Sequence, residues 1–149
     1  IDYPGAETEL EILRLTRNEA MFVEPVVAPN LTQEEIFKAR QDVLKIHLDE
    51  SLEQYIVQLI MATRQPTQYD AELANWIEFG ASPRATIALD KCARAHAWLS
   101  GRDFVAPDDI QAVFLNALRH RIILSYEAQA DGISKDQALQ RILELVAVP

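Results

Sequence analysis

The chain has 149 residues, 49% of them hydrophobic and 25% charged, the profile of one globular domain rather than of a disordered chain. Its single cysteine, Cys92, excludes an internal disulfide, and with no signal-peptide pattern and no apolar run near the roughly 18 residues of a membrane span, the expected place of work is the cytoplasm. Net charge is −9, with 14 acids against 6 bases in residues 1–75 and 9 against 8 in residues 76–149, so nonspecific nucleic-acid binding is not expected, just as the lack of a long apolar run leaves no membrane span expected.

Residues 5–20 predict a helix with Leu10, Leu13 and Arg17 on one stripe, widened by Ile12 and Leu15, and with Glu7, Glu9 and Glu11 suiting its N-terminal dipole. Ile1-Asp2-Tyr3-Pro4 before it is too short for an element of its own and resembles the stump of a strand, and a start at Ile1 suggests a processed or excised chain. Pro25 and Pro29 bracket an extended linker. Thr32 and Glu35 form a capping box for a helix to about Leu44. Residues 45–48 alternate polar and apolar and are expected to be extended. Asp49 then caps a helix in which Leu52, Tyr55, Ile56, Leu59, Ile60 and Thr63 share a face, and Pro66 ends it.

A loop over 67–79 leaves room for a short helix at Ala71–Trp76. Ser82-Pro83 starts a helix that runs to Ser100, with Gly101 at the position that closes it. Its expected buried stripe is Ala85, Ala88, Leu89, Cys92, Ala95 and Leu99, with Cys92 as a small core residue and His96 as a packed or bridging one. Pro107 opens a helix ending near His120, whose Asp108 and Asp109 the helix dipole alone explains. Arg121–Ser125 is expected to be extended, and Ser134 with Gln137 caps a last helix to about Leu145. The sum is an all-α bundle of about five or six helices, with room for one small strand pair.

Chemistry-bearing patterns are few. The only glycines are Gly5, Gly80, Gly101 and Gly132, and neither GxxxxGK[ST] nor GxGxxG occurs. His47, His96 and His120 have no metal-ligand spacing, and the acid pairs sit at helix starts, so no metal site and no general acid/base pair is assigned. Arg84, Lys91 and Arg94 fall on about one helix face, and Arg119-His120-Arg121 is a short basic cluster; both patterns suit a solvated surface. Arg84 stands apart because it lies in a first turn, where the dipole disfavours a cation by about 0.3–1 kcal/mol. A cation placed against the dipole points to another role, and a guanidinium fork suits phosphate oxygens.

Gly80-Ala81-Ser82-Pro83-Arg84-Ala85 resembles the sensor-2 motif of MoxR-type AAA+ ATPases. The order downstream is similar too: residues 101–110 (GRDFVAPDDI), Leu118–Ile122 and the closing Val146-Ala147-Val148-Pro149. Upstream, Tyr55-Ile56-Val57, Ala62-Thr63-Arg64 and Asp2-Tyr3-Pro4 with Glu9, Ile12 and Leu13 resemble that family as well. One departure is Ala106, where the family usually has Thr or Ser.

The resemblance implies residues 1–29 as the end of an AAA+ core and linker, and residues 30–149 as the helical lid. It implies ATP and Mg2+ as cofactors of a longer parent, with Mg2+ held outside this chain. Arg84 is then the catalytic, nucleotide-contacting residue, with Ser82 and Pro83 setting its place in the binding site. The implied partners are the ATPase core of the same chain, a homo-oligomeric ring and a protein client, in a chaperone-like assembly factor. Without Walker A or B the chain alone should not hydrolyse ATP. Two other readings of the residues are a helical module that only binds a protein and, disfavoured by the charge, a helical DNA-binding regulator.

Overall fold

The structure, a computed structural model, describes residues 4–21 and 31–149. These fall into two units, divided between Ile36 and Phe37. The strand stump at Ile1–Tyr3 and the linker around Pro25 and Pro29 lie outside the described residues. The described residues are mainly helical with one small strand pair, the fold class expected.

In the first unit, α1 (Ala6–Met21) buries none of its side chains, and Leu10, Ile12, Leu13 and Leu15 are exposed. The unit also holds the capped start of α2 (Gln33–Lys45). There Glu35 accepts from the Thr32 amide at 2.7 Å, and the Glu35 amide donates to the Thr32 hydroxyl at 3.2 Å, the reciprocal pair expected of a capping box. No residue of α2 is buried, so this helix adds nothing to the core that was expected to include it.

The second unit is built on α3 (Glu50–Arg64), α4 (Ala71–Trp76), α5 (Pro83–Leu99), α6 (Pro107–Leu118), α7 (Tyr126–Ala130) and α8 (Lys135–Leu145). Asp49 caps α3 by accepting from the Ser51 amide at 2.9 Å, and Leu52, Tyr55, Ile56, Leu59, Ile60 and Thr63 are all buried. Their spacing is the helical one, so the face predicted is the face used. After a 3-10 turn at Pro66–Gln68, Asp70 caps α4 and pairs with Arg141 of α8 at 2.5 Å, tying the two helices together.

Two short strands close one side. β1 (Ile77–Phe79) pairs antiparallel with β2 (Ile123–Leu124), Ile77 opposite Leu124. The expected strand pair is therefore present, but its first member falls in a stretch predicted as loop and helix. The segment at 45–48 is extended around His47, whose amide donates to Asp103 O at 2.8 Å and whose carbonyl accepts from the Val105 amide at 2.9 Å.

The face of α5 differs from the predicted one. Ala85, Leu89, Ala93 and Ala97, four residues apart, are fully buried on a helix packed against α6 and α3. Ala88 and Ala95 are half-buried, while Cys92 and Leu99 are exposed, Leu99 at 77%. A spacing of four walks slowly around the helix, and three of the four buried residues are alanines, whose lack of bulk permits a close approach between helices. Hydropathy alone draws the stripe through Cys92 and Leu99, because it offers no contrast by which to choose Ala93 over Ala95 or Cys92.

Leu89→Ala should therefore cost about 2–5 kcal/mol, whereas Leu99→Ala should stay within about 0.5 kcal/mol. Urea titration of both variants beside the parent chain measures this, and equal costs would place the core elsewhere.

Candidate functional site

The loop Gly80–Ser82 joins β1 to α5 and lies against the last turn of α3. Its contact is close enough to dictate the residue: a Cβ on Gly80 would stand 2.3 Å from the Thr63 carbonyl oxygen and 2.8 Å from the Arg64 Cα. Only glycine permits that approach without moving backbone. The Thr63 hydroxyl is buried, donates to Ile60 O at 2.7 Å and accepts from the Ala81 amide at 2.9 Å. The Arg64 Nε donates to Ala81 O at 2.7 Å. Both backbone polar groups of the buried Ala81 are thus satisfied by side chains from α3, as a buried loop requires.

From this seat the chain turns into α5. Ser82 is the N-cap residue, with extended backbone and no capping bond from its hydroxyl, and Pro83 occupies the first helical position. Ser82, Pro83 and Arg84 are all exposed. Arg84 makes no ion pair or side-chain hydrogen bond among the described residues, although it sits where the helix's first amides lack intrahelical acceptors. The start of α5 therefore presents an unspent guanidinium, a hydroxyl and peptide N–H groups. That set is suited to anionic oxygen. Lys91 is exposed as well, but Arg94 is turned inward, donating to Asp90 at 2.8 Å and to Ile46 O, so the three cations do not act as one face.

The other polar cluster lies at the far end of α5, around His96, about 18 Å along the axis from Arg84 at 1.5 Å per residue. Gly101, at φ 73°, reverses the chain in a Schellman turn, with Gly101 N–H on Trp98 O and Arg102 N–H on Ala97 O. This brings Arg102 back over the start of α6, where it grips the buried Asp109 with two nitrogens at 2.5 and 2.6 Å. Asp109 also accepts from the Ala106 amide at 2.7 Å and lies 2.6 Å from the His96 Nδ1. His96 thus bridges, as expected, but Asp109 is far more than a dipole partner. Its carboxylate takes the N-cap amide at a helix start where Ala106 offers no side-chain cap, and it joins α5, the Gly101 turn and α6. Burial by itself would raise its pKa, yet Arg102, the Ala106 amide and His96 together hold it far below the ordinary carboxylate range.

Of the basic cluster at 119–121, Arg119 pairs with Asp136 at 2.5 Å and Arg121 donates to Ala117 O at 2.9 Å, so both serve packing. No group of three His, Cys, Asp or Glu among the described residues is placed to hold a metal ion, and no helix among them is long and apolar enough to cross a membrane. What the sequence does not reveal is what the α3 partners of the loop do. Thr63 is visible as a stripe position and, with Ala62 and Arg64, as part of the family resemblance, but its pairing with Ala81, 18 residues later, leaves no local signal.

Comparison with known proteins places this arrangement. Residues 71–142 match the AAA lid domain family. Over its whole length the chain is 35% identical to Chaperone MoxR1 of Mycobacterium tuberculosis, covering 39% of that protein. It is 35% identical to the protein YeaC of Bacillus subtilis over 99% of this chain and 43% of that one. It is also similar to the crystal structure of a "putative ATPase" from Cytophaga hutchinsonii, with a TM-score of 0.88 and 40% identity over 100% of this chain and 45% of that chain. The fold around the Gly80 loop is an AAA lid domain. Over its whole length the chain is similar to MoxR-type AAA+ ATPases, and it spans less than half the length of these relatives.

Three carboxylates, each paired with a different arginine, set the acid limit of stability. Asp109, Asp70 and Asp136 all have lowered pKa values, each held down by an arginine. Groups depressed in the fold contribute stability that is complete above the unfolded value of about 3.9 and is lost as pH falls through the folded values. Stability should be level from pH 7 to about 5 and decline below about 4. Asp109→Ala should cost at least about 2 kcal/mol at neutral pH and flatten that decline, while the exposed Asp108→Ala stays within about 0.5 kcal/mol. Denaturation midpoints across pH measure both; a stability that rises on acidification would contradict the assignment.

Proposed function

We propose that this chain is the lid region of a longer MoxR-type ATPase and that Arg84 is its sensor-2 arginine, contributing to nucleotide sensing and ATP hydrolysis. The observation that carries the proposal is the contrast among the arginines. From α3 onward Arg64, Arg94, Arg102, Arg119, Arg121 and Arg141 are bonded within the fold, while Arg84 stands exposed and unpaired among the described residues, at a helix start that opposes its charge. A position costly to the helix and unused by the fold suits a ligand outside it.

The chemistry fits a nucleotide's phosphates. Charge on a transferring phosphoryl group is spread over its equatorial oxygens, and a positioned guanidinium stabilises it with two donors at once. Pro83 fixes the backbone ahead of Arg84, and the Ser82 hydroxyl is free of any capping bond. Mg2+ and the phosphate cradle belong to the parent's core, residues 1–29 being the end of that core and its linker and residues 30–149 the lid. The parent works in the cytoplasm as a homo-oligomeric ring that acts on a protein client in a chaperone-like role. The names of the chaperone and ATPase relatives support this class of work.

In the full-length parent, Arg84→Ala should leave folding intact and lower kcat for ATP hydrolysis by about 10²–10³. Arg84→Lys should recover only part, because an ammonium does not reproduce the fork. The measurement is steady-state hydrolysis at saturating ATP with the assembly state checked by sedimentation; equal turnover of Arg84→Ala and the parent would remove Arg84 from the mechanism.

A further inference from the structure

Arg84 is aimed by a loop whose backbone is held from outside. Three constraints act on the residues before it, and all three come from two consecutive residues of α3. Gly80 rests on the Thr63 carbonyl at a distance that excludes a Cβ. The Thr63 hydroxyl takes the Ala81 N–H while anchored to its own helix through Ile60 O. The Arg64 Nε takes the Ala81 C=O. Both sides of one residue's backbone are thereby fixed to α3, and between that residue and Arg84 stand only Ser82 and Pro83, whose ring fixes its own φ.

Neither side chain is needed to fill the core. Thr63 is buried, but an apolar residue of the same shape would fill its space without holding Ala81. Arg64 is exposed and, among the described residues, spends its side-chain hydrogen bond on this loop, not on an acid. A lysine or methionine would cover the same surface with its stem. What these two residues supply is direction for the start of α5.

We propose that Thr63 and Arg64 are positioning residues for Arg84, holding the Ala81 backbone on α3 so that the guanidinium meets a nucleotide phosphate in one geometry. This rests on the role proposed above for Arg84. It follows that α3, which runs back to Asp49, moves with the arginine, so that phosphate contact and the packing of the lid are mechanically joined.

The test is steady-state ATP hydrolysis by the full-length ATPase carrying Thr63→Val, Thr63→Ser, Arg64→Met or Arg84→Ala, and the corresponding double variants. Misplacing a reacting group by about 1 Å costs up to about 10²-fold. Thr63→Val and Arg64→Met should accordingly lower kcat by roughly ten- to a hundredfold, and kcat/KM with it, while Thr63→Ser, which keeps the hydroxyl, retains most of the parent rate. In the Arg84→Ala background neither substitution should lower the rate further, because residues that act through one another are not additive. A merely structural role would instead lower the rate by the same factor in both backgrounds, and that result overturns the proposal. So does a parent-like rate for both Thr63→Val and Arg64→Met when Arg84→Ala is slow. If Arg84→Ala itself is as fast as the parent, the role of Arg84 falls and this proposal with it, a distinct outcome. Should Thr63→Val fail to fold, the exposed Arg64→Met decides alone.

Discussion

The approach of the Gly80 backbone to the Thr63 carbonyl, with no room for even one carbon between them, is the constraint on which the site depends. It fixes where β1 ends and where α5 begins. The strand before it pairs with β2, and the helix after it carries the exposed Arg84 beside the fully buried Ala85. Had the loop lain even a methyl group farther out, the Thr63 hydroxyl would lose the Ala81 amide, and the start of α5 would have no partner to define its angle. A steric limit thus becomes a directional one, and two hydrogen bonds hold what the missing side chain permits.

The two ends of α5 are opposite in character. At its C-terminal end the polar groups are spent on one another: Asp109 takes two nitrogens of Arg102, the Ala106 amide and the contact from His96. That end closes the Gly101 turn and stabilises the fold. At the N-terminal end Arg84 and the Ser82 hydroxyl are unspent among the described residues. Between them Ala85, Leu89, Ala93 and Ala97 are fully buried, so the helix is a stiff connection between a satisfied cluster and an open one. At the open end Pro83 obeys the rules for a helix start while Arg84 sets a cation against the dipole, the kind of local conflict expected where a position serves a ligand.

Much of this is legible in the residues because the signals are local. Asp49, Thr32 with Glu35, and Ser134 with Gln137 announce helix starts within three residues, and Gly101 announces a stop. The α3 face is legible because Leu, Ile and Tyr contrast sharply with their neighbours. The α5 face is not, because alanine carries little hydropathic contrast and the buried set is chosen by how closely α6 approaches. Asp109 escapes for a related reason: next to Asp108 it has the composition of an ordinary first turn, and only the return of Arg102 through the Gly101 turn distinguishes the two. Arg84 is found by its conflict with the helix dipole and by the motif around it, whereas the Thr63 and Arg64 bonds to Ala81 span a loop and a strand and leave no trace in spacing.

The central claim is that the start of α5 presents Arg84 to a nucleotide phosphate, and its most direct test is structural. The measurement is the position of the Arg84 guanidinium in the assembled full-length protein bound to a non-hydrolysable ATP analogue. The account predicts an Arg84 nitrogen about 2.7–3.2 Å from a γ-phosphate oxygen, in the same subunit or its neighbour, with the Ala81 backbone still held by Thr63 and Arg64. An Arg84 that faces solvent in every nucleotide-loaded subunit, or that is paired with an acid of the core instead, would contradict it.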